Sequence, residues 1–332
     1  MVNQDRRRAG FSLMELMIAL AMMAIIVVYL VQTFSAQQRT YVMVDQTTEA
    51  QQSLRAISNL MESEIRSAGF MVDEGGAVCG VDATNGPDTL FVTDATALDP
   101  STSIEPALGA RLSAGSTPAT GNVTLSFTAG DVGVLDGQSA YDTDGDNVND
   151  SDFRVGSGAI VYDRANPGRG AACGIVTAIP SANQVRVNFL AATLGGAAVG
   201  AELVVVPAHV YQVNNAAQLL RDGLVLSEDV EDFQVAYFYD VDADQVIDAG
   251  ENPGSIGTNF TASAWNNADL REIRLNFVVR TRAGDPGFTQ GAFQTTENRV
   301  APAVTAADPQ LRRRVHTTTV RIRNVGNRGL LG

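Results

Sequence analysis

The 332-residue chain contains no lysine; arginine supplies all 23 of its basic residues. Histidine and cysteine number two each, and aromatic residues make up only 6%. Each shortage excludes something. With 37 acidic residues the net charge is −14, and such a surface repels phosphates, so nucleic acid is not an expected partner. His209 and His316 both lie in strand-like stretches and complete no Ser-His-Asp or Cys-His constellation, so an enzyme is not expected. Few aromatics beside 31 glycines argue for turns and short strands rather than a helical bundle.

One long apolar run is present, residues 11–31, with only Ser12 and Glu15 clearly polar. At ~1.5 Å per helical residue it spans about 32 Å, close to the hydrocarbon thickness of a bilayer. Arg6, Arg7 and Arg8 precede it, which holds the N-terminus in the cytoplasm and sends the remainder across. A standard secretory signal would have an apolar core of about 7–15 residues before a small-residue cleavage site. Here the run is longer, and the Gly10–Phe11 junction comes first. An ordinary anchor accounts for the length but not for Glu15, because a charge inside a spanning helix costs at least ~2.5–3.5 kcal/mol. In a chain exported this way, Cys79 and Cys173 are expected to form a disulfide rather than remain two free thiols, leaving no thiolate for zinc.

The stretch "RRRAGFSLMELMIAL" resembles the class III signal of type IV pilins and type II secretion pseudopilins. That resemblance implies a leader of residues 1–10, cleavage between Gly10 and Phe11 by a prepilin peptidase, and methylation of the new amino group. Glu15 falls at the fifth position after the cut. Its carboxylate is expected to pair with an α-amine, and pairing offsets much of the desolvation cost of both charges. The resemblance implies that the amine belongs to a neighbouring subunit.

Helical character continues past the bilayer. Residues 34–68 contain neither Pro nor Gly, and Leu54, Ile57, Leu60, Met61, Ile65 and Ala68 recur on one face. Gly69 is a natural stop. One helix from Phe11 to Ala68 would run about 87 Å. Beyond it, strands are read at 88–96, 121–130, 158–164, 183–192, 202–213, 230–242, 271–282 and 312–325, with 97–120 a loop or insertion. Pro207 puts its strand at a bend or a sheet edge. In 230–242, Phe233, Val235, Tyr237 and Tyr239 share one face. In 271–282, Ile273, Leu275, Phe277 and Val279 point inward, and Arg274, Asn276 and Arg280 outward. Arg312, Arg313 and Arg314 read as outward residues paired with acidic neighbours. The fold class is therefore α+β: a long N-terminal helix on a mostly antiparallel β-rich head. The expected divisions are 1–10 leader, 11–33 membrane and filament-core helix, 34–69 amphipathic helix, and 70–332 head.

The segment "LLRDG" through "LSEDVEDFQVAYFYDVDADQ", with "RRRVHTTTVRIRN" near the C-terminus, is similar to PilW-type minor pilins. That resemblance implies assembly with other minor pilins, the major pilin and an inner-membrane assembly platform. It also implies an inner-membrane single-pass protein that later enters a surface pilus. Residues 71–210 carry no such resemblance. A secretion pseudopilin is the second reading; the large tip pseudopilin of that machine usually lacks the glutamate, so Glu15 argues against it. A calcium-dependent tip adhesin is the third.

Two acidic loops support the third reading. Residues 142–153, "DTDGDNVNDSDF", offer Asp142, Asp144, Asp146, the Val148 carbonyl and Asp150. Residues 240–251, "DVDADQVIDAGE", offer Asp240, Asp242, Asp244, the Val246 carbonyl, Asp248 and Glu251. Alternating carboxylates with a twelfth-position Glu supply the six to eight hard oxygens that Ca2+ takes at ~2.3–2.6 Å. The side chains of Val148 and Val246 are expected to anchor the loops in the core. A solvated acidic turn is the plain alternative for both.

Overall fold

The computed structural model describes residues 12–70, 72–83, 85–94, 109–113, 116–127, 152–181, 183–191, 194, 202–242, 244, 246–247, 267–285, 288–289, 297, 310–323 and 325. The chain divides into two units, Met1–Glu49 and Ala50–Gly332.

Helix α1 runs from Leu13 to Ser67, 55 residues, without a Pro or Gly to interrupt it. It ends where expected: Gly69 takes a positive φ of 75°, a conformation that a Cβ would penalise. In the first unit, the large apolar side chains from Leu13 to Val31 are all exposed. In the second unit, Leu54, Ile57, Met61, Ile65 and Ala68 are buried and Leu60 is half-buried, so the stripe is a core face.

Thirteen strands follow among the described residues: β1 (Val78–Val81), β2 (Thr89–Thr93), β3 (Ala110–Arg111), β4 (Gly121–Ser126), β5 (Gly158–Asp163), β6 (Ala171–Ser181), β7 (Gln184–Ala191), β8 (Leu203–Val213), β9 (Gln218–Arg221), β10 (Leu224–Glu228), β11 (Val230–Tyr239), β12 (Leu270–Arg280) and β13 (Arg313–Arg321). Ten form one antiparallel sheet with the path β1-β2-β8-β5-β6-β7-β4, with β3 and β9 also on β8 and β10 on β9. The other three form the sheet β11-β12-β13. The α+β reading is correct: one long helix, then antiparallel strands.

Several details differ from the sequence reading. The strand carrying Pro207 is central. β8 has β5 on one flank and β2 and β3 on the other. The Pro207 carbonyl accepts from the Asp94 amide just where β2 ends, so the missing N–H faces the gap between β2 and β3. The expected loop at 97–120 contains β3, which pairs with Val204 and Val205. "LLRDG" is strand as far as Arg221; the turn itself is Asp222–Gly223, with φ of 52° and 78°, closing the β9–β10 hairpin.

In β11 and β12 the expected inward residues are buried, but burial extends to the opposite face. Asp232, Gln234, Ala236 and Phe238 are buried too, as is Asn276, which was expected to point out. Glu297 explains Asn276: it accepts from Asn276 Nδ2 at 2.6 Å and from Arg274 Nε at 2.7 Å. Of the arginine triplet, Arg312 pairs with Asp285, whereas Arg313 is buried against Glu231 with a 2.6 Å contact. Cys79 and Cys173 form the expected disulfide, joining β1 to β6 across 94 residues.

Candidate functional site

The N-terminal site begins with its acid. Glu15 lies in the first turn of α1, and its Oε2 accepts from the Ser12 amide at 3.2 Å. Ser12 Oγ in turn accepts from the Met14 amide at 3.3 Å. This reciprocal Ser-x-x-Glu arrangement satisfies two amides that a helix start leaves open. The Ser-x-x-Glu spacing of this cap is visible in the sequence itself. Gly10 and Phe11 lie outside the described residues. From Leu16 to Val31 the exposed surface of α1 is apolar on every side, and the helix is long and apolar enough to cross a membrane.

The second site is the turn after β11. Asp240, Asp242 and Asp244 bring a carboxylate oxygen each to within 4.8 Å of one another. They differ in setting: Asp240 is fully buried, and the other two are exposed. The Asp240 amide donates to the Asp269 carbonyl at 2.8 Å, and its Oδ2 receives Arg271 Nε at 3.2 Å. Nothing in the local spacing foretold Arg271, which lies 31 residues away. Asp242 and Asp244 accept from the amides of Asp244 and Val246. Val246 does not anchor the loop: its side chain is 55% exposed. The anchor is Asp240 itself. Asp248 and Glu251 lie outside the described residues, as do Asp142, Asp144, Asp146, Val148 and Asp150 of the first loop. Phe153, at the twelfth position of that loop, is buried and stacks on Phe127 at 5.9 Å, a core role that displaces a carboxylate.

Two charged clusters escaped the sequence reading. Asp88 caps the β1–β2 connection onto the second sheet by accepting from the amides of Ala83 and Val235 at 2.9 and 2.8 Å. Burial pushes its pKa up to about 7 against those two donors, and the nearby carboxylates of Asp82 and Asp232 add to the rise. His209, on β8, has Asp222 Oδ2 at 2.7 Å from Nδ1. On its other side, Asp94 Oδ1 lies 3.3 Å and Arg221 Nη2 2.8 Å from Nε2. Arg221 reaches Glu64 of α1 at 2.6 Å, and the Tyr211 hydroxyl donates to the same carboxylate. The contacts of the His209 cluster join residues 12 or more positions apart, beyond any local pattern.

Residues 5–31 match the family model described as the prokaryotic N-terminal methylation motif. Together with the exposed apolar helix, that match makes the N-terminal part of the chain similar to type IV pilins. Residues 201–324 match the model described as Type IV Pilus-assembly protein W, so the C-terminal part is similar to that family. That segment holds β8 through β13, including the Asp240 turn and, of the His209 cluster, His209, Tyr211, Arg221 and Asp222. Among solved structures, a type IV-like pilin from Thermus thermophilus is similar at 14% identity, covering 83% of this chain and 96% of that one with a TM-score of 0.29. No curated protein matches the chain.

Proposed function

We propose that this protein is a minor pilin of a type IV pilus, acting in the minor-pilin complex that initiates filament assembly and occupying the filament tip. The observation that carries this reading is an outward-facing apolar helix with a single acid in its first turn, inside a methylation-motif match. In this reading residues 1–10 are removed by prepilin peptidase, residues 11–33 cross the inner membrane and later enter the filament core, and residues 70–332 are the exported head. Glu15 then exchanges its local cap for the α-amine at Phe11 of a neighbouring subunit. Other minor pilins, the major pilin and the assembly platform are the partners, and the role is structural rather than catalytic.

Lysine's absence makes processing easy to read, because the α-amine is the chain's sole primary amine. Protein isolated from its own cells is expected to begin at an N-methylated Phe11 and to escape reagents selective for primary amines. A chain beginning at Met1 would end this reading. Glu15→Ala is expected to insert into membranes normally but to fall at least tenfold in sheared filaments. Co-purification with secretion-system subunits instead of pilins would favour the pseudopilin reading.

A second reading, of a calcium-dependent head, draws on the Asp240–Asp242–Asp244 group. A 4.8 Å spread of oxygens suits a cation whose bonds to oxygen are ~2.3–2.6 Å, and exposed Asp242 and Asp244 can turn toward it. Asp240, Asp242, Asp244, the Val246 carbonyl, Asp248 and Glu251 would hold the ion, which would neutralise their mutual repulsion. The expected affinity is that of extracellular modules, roughly 10⁻⁴–10⁻³ M. Millimolar Ca2+ is expected to raise Tm, and a double Asp242→Ala, Asp244→Ala variant to lose part of that rise. Coincident melting curves with Ca2+ and with chelator would remove calcium from the account.

A further inference from the structure

We propose that His209 is a two-position proton switch at the junction of α1 with the ten-stranded sheet, its Nε2 donating to Asp94 when the ring is cationic and accepting from Arg221 when it is neutral. The geometry compels a choice. One nitrogen, Nε2, faces both a carboxylate oxygen at 3.3 Å and a guanidinium nitrogen at 2.8 Å. Arginine only donates, so the Arg221 contact is a hydrogen bond only if Nε2 carries no proton. The Asp94 contact is a hydrogen bond only if it does. Nδ1 is common to both states, donating to Asp222 Oδ2 at 2.7 Å. Asp222 is held by the backbone: the Val210 amide donates to its Oδ1 at 2.9 Å, and its own amide donates to the Val210 carbonyl at 3.0 Å. The ring therefore cannot swing, and only the proton and its partner change.

The two states differ in what they connect. In the neutral state a hydrogen-bonded chain runs from Asp222 through His209 and Arg221 to Glu64, where the Tyr211 hydroxyl also donates. That chain ties the sheet to α1. In the cationic state the ring bridges Asp222 and Asp94, and Arg221 is left to Glu64 with Asp222 at 4.0 Å. The charged groups around the ring are Asp94 after β2, Arg221 on β9, Asp222 in the β9–β10 turn and Glu64 on α1. Burial opposes the ring's charge, but hydrogen bonds to Asp222 and Asp94 and the proximity of both carboxylates outweigh it and raise the pKa from 6.5 to about 9. A raised pKa means that the stabilisation is complete below pH 6.5 and lost as pH rises through about 9. The cationic form is thus the one present at neutral pH, and alkaline conditions move the ring's own hydrogen bond from Asp94 to Arg221, which holds Glu64 of α1 in both states.

With two histidines in the whole chain, isotope-labelled histidine in the full-length protein in detergent micelles gives two ring signals, and His316 serves as the internal reference. His209 is expected to titrate at about pH 9, above the usual imidazole value of 6.5, and its neutral form to carry the proton on Nδ1. Asp94→Asn is expected to lower the His209 pKa by at least about one pH unit, and Arg221→Met to raise it, while His316 stays put. The two charges alone give those opposite signs, so the readout that separates a switch from a merely structural histidine is the neutral tautomer, with its proton on Nδ1 and a bare Nε2 facing Arg221. A His209 pKa at or below 6.5, a neutral form protonated on Nε2, or shifts of the same sign would overturn the proposal. If a variant fails to fold, its two signals will coincide, and the tautomer and pKa in the unsubstituted chain then decide.

Discussion

The two ends of α1 are the same secondary structure written for different surroundings. From Leu13 to Val31 the large apolar side chains are all exposed; from Leu54 to Ala68 apolar residues at three- and four-residue steps are buried and, Ser58 apart, polar ones are not. An all-round apolar helix and a striped one are both legitimate helices; what separates them is whether lipid or a protein core covers the surface. Each end also carries a partnered glutamate, Glu15 with the nearby Ser12 amide and Glu64 with Arg221, distant in sequence. The lower glutamate caps its own helix and leaves its environment to be supplied by other molecules. The upper one is already satisfied within its own unit.

Truncation should break this comparison open most visibly. Met61→Ala removes a fully buried side chain and is expected to cost roughly 2–5 kcal/mol, read by denaturant unfolding of the head. Met22→Ala, at a residue 63% exposed, should leave that transition where it is. Equal losses would mean that the lower helix also packs in the monomer. Next in size, Glu64→Gln strands half-buried Arg221 and is expected to lower stability by about 1–3 kcal/mol, whereas Glu15→Gln should leave the melting of the head unchanged.

A smaller, pH-dependent effect sharpens the same contrast within the head. Asp88 is raised from 3.8 to about 7, so its contribution is complete below pH 3.8 and lost as pH rises through about 7. Asp88→Asn should therefore flatten the fall in Tm between pH 4 and pH 7. A slope unaffected by the substitution would place the titrating group elsewhere. Smallest of all, Leu60→Ser at the half-buried margin of the stripe should shift Tm by only a few degrees, less than Met61→Ala.

Much of this arrangement was legible in the residues. The helix, its stop at Gly69, the buried stripe, the disulfide and the alternation in β12 all follow from local patterns or from the export argument. What was not legible depends on partners distant in sequence. Asn276 reads as outward until Glu297 meets it, and Arg313 reads as outward until Glu231 does. Pro207 reads as an edge residue because propensity cannot see that β2 stops one residue short of its nitrogen. His209 offered no sequence signal at all, since its neighbours come from a strand end, a hairpin and a helix. At the Asp240 turn the alternating acids were visible, but the burial of the first, and its Arg271 partner, were not.

The gap opposite Pro207 has a consequence for how this head can vary. Asp94 leaves β8 at Pro207, and Ala110 rejoins the same flank at Val205, two positions along. The two anchor points are neighbours on one flank, and between such points a flexible segment gains only about 0.6 kcal/mol of closure entropy for each doubling of its length. Pro207 offers no N–H there, so a strand continuing from β2 would lack that rung. A change of length between Asp94 and Ala110 is therefore expected to leave the pairings of β2 and β3 with β8 in place.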